Sequence, residues 1–354
     1  MVDNGALFFT VGTEKYKDKL YYFAEALNTL FSVDVQSGAM TLEFMPKPNN
    51  YRRIIENDDC IYLFPRSTGS VCRYNIKSRN SEYIDIPKNL HNENETNWSG
   101  NYIRLGNCIY FYWANYVLTE YDIAHNEWRA YRDWLNEYKE ELSGSCFATN
   151  AFVFDGDVYF PIANSSSVLK LNVKEGKTSI IDIPFDDKCY IKLTYYDSKR
   201  VWILTAKGND IDGLYYYIPG EFVPNKFVEF ENVENSLAVM YCTEKYAFLL
   251  PGNGDVGFKV DIHSKTVSRI HEIETKNKEY LKDIVNYPYN FAYGNVTDDG
   301  YNVINIATGK LVRIRYKDSA ISEIPLTVQK ISFLDQILKE SEILNLKAFI
   351  EGIA

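Results

Sequence analysis

The sequence is poor in histidine and cysteine. Of its four histidines, His125 and His263 occupy matching positions in different copies of a repeat described below, so they cannot converge. Metal sites need clustered His, Cys or carboxylate side chains. The six cysteines include no C-x-x-C pair and are too scattered for a disulfide framework. We therefore expect no metal, no cofactor and reduced, buried thiols.

Clusters of positive charge and long apolar runs are also missing. The net charge is −10, and no run of Lys or Arg is longer than two residues. Nucleic-acid binders usually show a basic stripe, so we expect neither nucleic acid nor a membrane as partner. No apolar run approaches the roughly 18 residues of a membrane span, and the apolar stretch 6–11 is too short for a secretory signal. We expect a cytoplasmic protein.

Familiar catalytic motifs are absent from the sequence as well. It contains no G-x-S-x-G, no P-loop and no G-x-G-x-x-G. Asp155-Gly156-Asp157 and 298–300 (DDG) lack the spaced ligands of a calcium loop, and both fit hairpin turns. A catalytic carboxylate pair remains open, because 48 acidic residues offer many spatial pairs. The sequence singles out no catalytic residue.

What the sequence does contain is a repeat of about 45 residues. Each copy has a short strand that ends in Asp or Asn, preceded by an aromatic or apolar strand about ten residues earlier and by hairpin-turn residues. The residues just before the Asp or Asn are Val33, Tyr74, Tyr121, Leu171, Tyr216 (a degenerate copy), Val260 and Ile304. Each copy predicts four antiparallel strands, a to d, with the Asp or Asn capping backbone N–H groups of the c–d turn.

Seven such units predict an all-β fold, a seven-bladed β-propeller of four-stranded antiparallel blades. In the seventh unit, 281–285 and 289–293 are assigned to strands a and b, and Ile304 to strand c. A six-bladed ring with an additional irregular sheet is the alternative.

The pattern resembles the kelch-like and WD-like propellers. Residues 121–128 (YDIAHNEW) are similar to the Tyr-Asp…Asn-x-Trp stretch of kelch repeats. However, the chain has no Gly-Gly doublet and no Trp-Asp dipeptide, and only one unit carries that Trp. The resemblance therefore implies a fold and transfers no activity.

Two segments depart from the repeat. Apolar residues at helical spacing from Trp134 to Leu142 predict a short helix between the third and fourth units. From 328 to 354 the apolar period changes to about 3.6. We predict a propeller over 1–318 and an amphipathic helical extension over 319–354. That extension either caps the propeller or mediates docking of a partner or self-association.

The resemblance to the propeller fold implies that ligands gather on the face that carries the b–c and d–a loops, named here the loop face. The opposite face, with the a–b and c–d turns, is the turn face. The candidate ligand-binding residues are Tyr51, Arg66, Trp98, Trp113, Asn115, Asn164, Lys207, Asn253 and Tyr287. Aromatic rings, amides and a few cations suit an extended peptide or a sugar.

The favoured hypothesis is a non-catalytic propeller that binds a protein or peptide partner on the loop face. The alternative is a cytoplasmic carbohydrate-binding or carbohydrate-active propeller that uses Arg66, Trp98 and Trp113. A third hypothesis is a lactonase-like or lyase-like enzyme, against which the low histidine content argues.

Overall fold

The computed structural model describes residues 10–24, 28–47, 49, 51–65, 69–90, 101–112, 118–136, 147, 150–185, 189–231, 233–234, 237–252, 256–271, 294–297, 299–305 and 309–328. Within these ranges the chain forms seven sheets, each built from four consecutive antiparallel strands. The seven-bladed β-propeller is thus confirmed, and the six-bladed alternative is wrong.

The strands follow one another in blade order. Blade 1 contains β1 Thr10–Tyr16, β2 Lys19–Ala24, β3 Thr29–Asp34 and β4 Ala39–Phe44. Blade 2 contains β5 Tyr51–Asn57, β6 Cys60–Pro65, β7 Ser70–Asn75 and β8 Ser81–Asp85. Blade 3 contains β9 Asn101–Leu105, β10 Cys108–Tyr112, β11 Leu118–Asp122 and β12 Glu127–Tyr131. Blade 4 contains β13 Phe152–Phe154, β14 Asp157–Pro161, β15 Ser167–Asn172 and β16 Lys177–Asp182. Blade 5 contains β17 Tyr190–Tyr196, β18 Val201–Lys207, β19 Asp210–Tyr217 and β20 Asn225–Glu229. Blade 6 contains β21 Leu237–Cys242, β22 Tyr246–Pro251, β23 Gly257–Asp261 and β24 Val267–Ile270. Blade 7 contains β25 Asn295–Thr297, β26 Gly300–Asn305, β27 Lys310–Arg315 and β28 Ile321–Pro325. A short strand, β29 Thr327–Val328, follows blade 7.

Burial differs sharply between the strands of one blade. The second strands are almost continuously buried, as in Cys60–Pro65 and Gly300–Asn305, because neighbouring blades cover both faces. The fourth strands form the outer edges of the blades and are mostly exposed or half-buried. Six of the hydrophobic clusters lie between consecutive blades, from blades 1 and 2 through to blades 6 and 7. This packing explains why aromatic residues recur in the second strands of the repeat.

The predicted caps at the end of the third strand are present in five blades. The Oδ1 atom of Asp34 accepts hydrogen bonds from the backbone N–H groups of Gln36 and Ser37, at 3.1 and 2.8 Å. Equivalent side-chain acceptors in the other four blades are Asn75, Asp122, Asn172 and Asp261. In these five blades the Asp or Asn of the repeat is therefore a turn residue, and its role is structural.

The strand assignment in the seventh unit is corrected by the structure. Ile304 lies in β26, the second strand of blade 7, and the third strand is β27, which ends at Arg315. The misassignment has a physical cause. The N–H of Gly309 donates to the Asn305 carbonyl at 2.9 Å, and the N–H of Gly38 donates in the same way to the Asp34 carbonyl in the c–d turn of blade 1. In blade 7 this hydrogen bond lies between the second and third strands, one hairpin earlier than in blade 1. The segments 281–285 and 289–293 lie outside the described residues.

The two departures from the repeat have different outcomes. Between blades 3 and 4 a 3₁₀ helix spans Asp133–Asn136, and Trp134 is fully buried against Phe147. A second 3₁₀ helix, Lys88–Leu90, follows blade 2. The predicted propeller boundary at 318 falls in the turn between β27 and β28, so blade 7 continues to Pro325. Of the predicted helical extension over 319–354, Ile321–Pro325 and Thr327–Val328 form strands instead of helix, and 329–354 lie outside the described part of the chain.

The ring is closed where the last blade meets the first. After β28, β29 pairs in parallel with β4, so blade 1 has a fifth strand at its outer edge. Thr327 donates its N–H to the Gly38 carbonyl at 3.0 Å. Near the axis, β1 contacts β25, and Lys15 forms an ion pair with Asp299 at 3.4 Å. The closure therefore joins blade 7 to blade 1 at both its inner and outer edges.

Candidate functional site

The innermost strands of the blades surround a central cavity of about 530 Å³. These strands contact their neighbours, as β1 contacts β5 and β17 contacts β21. All seven of them, or the residues directly before them, contribute to the cavity wall, and Tyr112 and Tyr301 are added from second strands. The volume is within the range of small-ligand pockets, about 300–1,000 Å³.

The cavity has two chemically different ends. Each innermost strand runs from a d–a loop to an a–b turn, so its first residues lie toward the loop face. The loop-face end therefore includes Arg53, Asn101 and Asn150, whereas Arg104 and Val296 lie toward the turn face. Amide groups are concentrated at the loop-face end, whereas each end has one guanidinium group.

A hydrogen-bonded carboxyl group connects three blades near the axis. Glu14 of β1 accepts a hydrogen bond from the hydroxyl of Tyr102 in β9 and another from the amide of Asn295 in β25, at 3.1 Å for the latter. Burial raises the pKa of Glu14 to about 7, the Tyr102 hydrogen bond opposes this rise, and the nearby Glu56 carboxylate adds to it. Glu14 therefore exchanges its proton near neutral pH.

Arg104 fixes the turn-face end of this region. Its Nη1 donates to the Glu56 carbonyl and its Nε to the Gly106 carbonyl, both at 2.9 Å, and its Nη2 donates to the Asn57 side chain. Burial raises the pKa of Glu56, and the Arg104 charge opposes this rise. Arg104 thus attaches blade 3 to the backbone of blade 2.

Two further polar pairs connect blades at the loop-face end. Arg53 of β5 donates from Nη2 to Oδ1 of Asn101 in β9 at 2.9 Å, and both residues are at least nine-tenths buried. On the other side of the cavity, Asn150 donates from Nδ2 to the Thr194 carbonyl at 2.7 Å. The Thr194 hydroxyl donates in return to the Asn150 carbonyl. These pairs hold polar side chains at fixed positions on rigid strands.

Three of the nine predicted ligand-binding residues lie in the described part of the chain. Asn164 is exposed in the b–c loop of blade 4, with a φ of 56°, and Lys207 is exposed at the tight b–c turn of blade 5. Tyr51 is only 1% exposed, and its ring packs edge-on against Phe23 with the centroids 5.6 Å apart. Asn164 and Lys207 thus mark the loop face, and Tyr51 belongs to the packing between blades 1 and 2. Six predicted residues lie outside the described ranges: Arg66, Trp98, Trp113, Asn115, Asn253 and Tyr287.

The polar residues of the innermost strands were missed by sequence reasoning. That reasoning looked for ligands in the loops, whereas Glu14, Arg53 and Arg104 lie inside the first strands of three successive units. A charged residue recurring in the first strand of consecutive units is the signal that could have identified them. The first strands surround the axis of a propeller, so charged residues there lie close together.

The described residues include neither a metal-ion cluster nor a membrane-spanning helix. In those ranges no group of three or more His, Cys, Asp or Glu side chains is arranged to hold a metal ion. No helix among the same residues is long and apolar enough to cross a membrane. Four of the five described cysteines, Cys60, Cys72, Cys189 and Cys242, are buried.

Comparison with solved structures gives the class of fold. The chain is similar to a catalytically inactive virginiamycin B lyase from Staphylococcus aureus, solved with quinupristin, at 11% identity over 84% of this chain and 92% of that one, with a TM-score of 0.55. BamB from Moraxella catarrhalis is similar at 12% identity over 87% and 83% of the two chains, with a TM-score of 0.52. The extracellular domain of a putative one-component system from B. thetaiotaomicron is 12% identical, covering 90% of this chain and 47% of that one, with a TM-score of 0.56.

These similarities support a seven-bladed β-propeller and nothing narrower. No protein-family description matches the sequence, and no curated protein does. The kelch-like or WD-like character expected from residues 121–128 is therefore not shown by any comparison. At 11–12% identity the similarity is one of fold alone.

Proposed function

We propose that this chain is a non-catalytic binding propeller that holds a protein or peptide segment at the loop-face end of its central cavity. The observation that carries this proposal is the convergence of seven innermost strands on one cavity of about 530 Å³ with amide groups concentrated at one end. Side chains on rigid strands keep their positions without a ligand. A bound segment is then ordered at a lower entropic cost.

The chemistry of the cavity wall suits a peptide backbone. A peptide presents alternating N–H donors and C=O acceptors, and asparagine side chains can satisfy both. Asn101 and Asn150 lie at the loop-face end on different blades, and tyrosine rings such as Tyr195 line the wall beside them. Tyrosine supplies large contact area with few rotatable bonds. An extended segment across the mouth would meet polar groups from more than one blade.

The fold relatives are compatible with this proposal but do not select it. One is a lyase, one is the extracellular domain of a putative one-component system, and one is BamB. A shared propeller fold hosts many unrelated functions. The proposal therefore rests on the cavity and not on the relatives.

Carbohydrate binding is the second candidate. Five tyrosines line the cavity together with the asparagines: Tyr102, Tyr112, Tyr195, Tyr196 and Tyr301. Aromatic rings stack on sugar faces, and amides bind sugar hydroxyls, so the same wall would accept a short oligosaccharide.

The two candidates are separated by photo-crosslinking from one blade. Lys207 lies at the b–c turn on the loop face, and Lys199 lies in the a–b turn on the turn face, both exposed on blade 5. Each is replaced in turn by a photoreactive residue, and the protein is incubated with a random heptapeptide library or an oligosaccharide mixture. We expect peptide adducts from position 207 that exceed those from position 199. Sugar adducts alone would favour the second candidate, and equal yields from both positions would contradict loop-face binding.

A cavity-filling variant completes the test. Ala238 lines the cavity on β21, so Ala238→Trp occupies part of its volume. We expect this variant to lose the adducts at position 207 while its thermal melting stays cooperative. Unchanged adduct formation in a folded Ala238→Trp protein would contradict the cavity as the binding site.

A further inference from the structure

Asn101 has a buried hydrogen-bond donor without a partner in the described part of the chain. The residue is 4% exposed and lines the cavity, and no described group accepts from its Nδ2. A guanidinium group can only donate, so Nη2 of Arg53, at 2.9 Å, must face the Oδ1 atom of Asn101. This contact fixes the amide with Nδ2 as its donor. Buried polar groups are nearly always hydrogen-bonded, so this nitrogen requires an acceptor that the described residues do not supply.

The other described asparagines of the cavity use their amide nitrogens within the protein. Nδ2 of Asn150 donates to the Thr194 carbonyl at 2.7 Å, and Nδ2 of Asn295 donates to Glu14 at 3.1 Å. These two amides are structural, because each connects neighbouring blades. Asn101 differs from them, since its donor is directed at no described acceptor although the residue lines the cavity.

Blade 6 gives the cavity an apolar wall. Its described cavity residues are Ala238, Val239 and Met240 of β21, and none of them is polar. Ala238 is the extra residue of a β-bulge between Leu237 and Val239, and bulges redirect side chains. Ala238 and Val239 are half-buried, so the protein covers their apolar atoms only in part. A concave wall of this kind favours an apolar group of a ligand.

The ring places this wall across the axis from Asn101. Consecutive blades pack on each other, and blade 7 closes on blade 1. In a ring of seven, blade 6 is three steps from blade 3 in one direction and three steps from blade 2 in the other. Asn101 begins β9, and Ala238 and Val239 are the second and third residues of β21. The unpaired donor and the apolar wall therefore lie on opposite sides of the loop-face end.

We infer that the loop-face end contains a two-part subsite, in which β21 receives an apolar side chain of the bound peptide and Asn101 donates to a main-chain carbonyl oxygen of the same segment. This inference rests on the proposed peptide-binding function. A residue such as leucine carries both groups close together. A polar or charged side chain would lose its water against Ala238 and Val239 without gaining a hydrogen bond there. The subsite therefore selects an apolar residue.

Peptides that differ at one position test this selection. The full chain is titrated with three libraries of acetylated and amidated heptapeptides, which carry Leu, Ser or Asp at the central position between random Gly, Ala and Ser residues. The blocked termini remove all charge except that of the Asp. We expect the Leu library to bind about 10-fold or more tightly than the Ser library, as burial of a leucine side chain predicts. Tighter binding of the Asp library would contradict an apolar subsite.

A matched pair of variants tests the wall on blade 6. Val239→Thr nearly keeps the shape of the side chain but adds a hydroxyl to the wall, so the preference for Leu over Ser should fall about 5-fold or more. Val267→Thr makes the same change at an exposed position of β24, the outer strand of the same blade, and should bind like the wild type. An unchanged preference in a folded Val239→Thr protein would contradict the wall as the site of the apolar side chain.

A second pair tests the donor. Asn101→Asp keeps an oxygen for Arg53 but replaces the nitrogen donor by an acceptor, so it should weaken the Leu and Ser libraries alike, by about 10-fold. Asn126→Asp adds the same charge at an exposed c–d turn on the turn face and should bind like the wild type. Equal binding by Asn101→Asp and the wild type would reject Asn101 as the donor.

A small probe separates the inference from the proposed function. N-isobutylacetamide carries a leucine-like group and one amide carbonyl, and its binding is measured by NMR saturation transfer. It should bind the wild type and Val267→Thr, and bind Val239→Thr and Asn101→Asp more weakly. If all libraries bind equally, peptide binding stands and the subsite is rejected. If no library binds but the probe follows this pattern, the subsite stands and peptide binding is rejected. If neither binds, both proposals are rejected.

Discussion

The hydroxyl of Tyr102, on the third blade, donates a hydrogen bond to the carboxyl group of Glu14, on the first. These residues are 88 positions apart in the sequence, and the whole of blade 2 lies between them in the chain. Asn295 of blade 7 binds the same carboxyl group. A single side chain therefore joins three blades close to the place where the ring closes.

Replacement of Glu14 by Gln should make stability less dependent on pH. Burial holds the pKa of Glu14 at about 7, above its usual 4.5. The folded protein therefore binds the Glu14 proton more tightly than the unfolded chain does. The contribution of this group to stability decreases as the pH rises from about 4.5 to about 7. Glu14→Gln removes that decrease, so its free energy of unfolding relative to the wild type should be higher at pH 8 than at pH 5.

Urea denaturation at the two pH values measures this difference. Tyr102→Phe is the matched variant, because it removes a hydrogen bond that lowers the pKa of Glu14. It should move the pH-dependent decrease to higher pH. An equal effect of Glu14→Gln at pH 5 and pH 8 would contradict the burial of this carboxyl group.

The ring closure predicts that alanine lowers the free energy of unfolding more at Gly38 than at Gly156, although the two glycines have similar backbone conformations. Gly38 and Gly156 have φ angles of +72° and +76°. A Cβ at Gly38 would lie 2.2 Å from the Pro325 carbonyl oxygen of blade 7, whereas a Cβ at Gly156 has no atom within 4 Å. Gly156→Ala should cost about 1–2 kcal/mol for the left-handed backbone. Gly38→Ala should cost about 1–3 kcal/mol more, because blade 7 must shift away from blade 1. Equal unfolding free energies for the two variants would contradict this contact.

The turn caps predict how substitutions at Asn172 change the stability of the protein. Asn172 accepts a hydrogen bond from the Glu175 N–H at 3.0 Å with its Oδ1 atom. Asn172→Ala leaves that turn without its side-chain acceptor and should lower the free energy of unfolding by about 1 kcal/mol. Asn172→Asp keeps the acceptor and should remain close to the wild type. If Asp and Ala destabilise the protein equally, the residue acts through something other than the cap.

The sequence predicts the fold well because the repeated Asp or Asn is a residue that the turn after it requires. The Asp or Asn at the end of the third strand is needed wherever a c–d turn requires an acceptor, as Asp34 and Asp261 show. The same logic failed in blade 7, where Asn305 ends a second strand that continues into a similar turn. A local motif identifies a turn, but it does not say which hairpin of the blade contains it.

The candidate site was much less predictable from the sequence. Arg53 and Asn101 are 48 residues apart, and nothing local to either indicates that their side chains meet. Their contact depends on the ring, which brings the first strands of neighbouring blades together. Loop residues such as Asn164 and Lys207 were chosen by residue type, whereas the residues that line the cavity are selected by position in the blade.

The most direct test of the account is hydrogen exchange of the full chain with and without the heptapeptide that crosslinks best from position 207. A ligand at the loop-face end should slow the exchange of backbone amides at the starts of the innermost strands, within 51–54, 101–103 and 190–194. The a–b turns at 17–19 and 106–108 should be unaffected. Protection confined to those turns, or to the outer strands, would contradict binding in the central cavity.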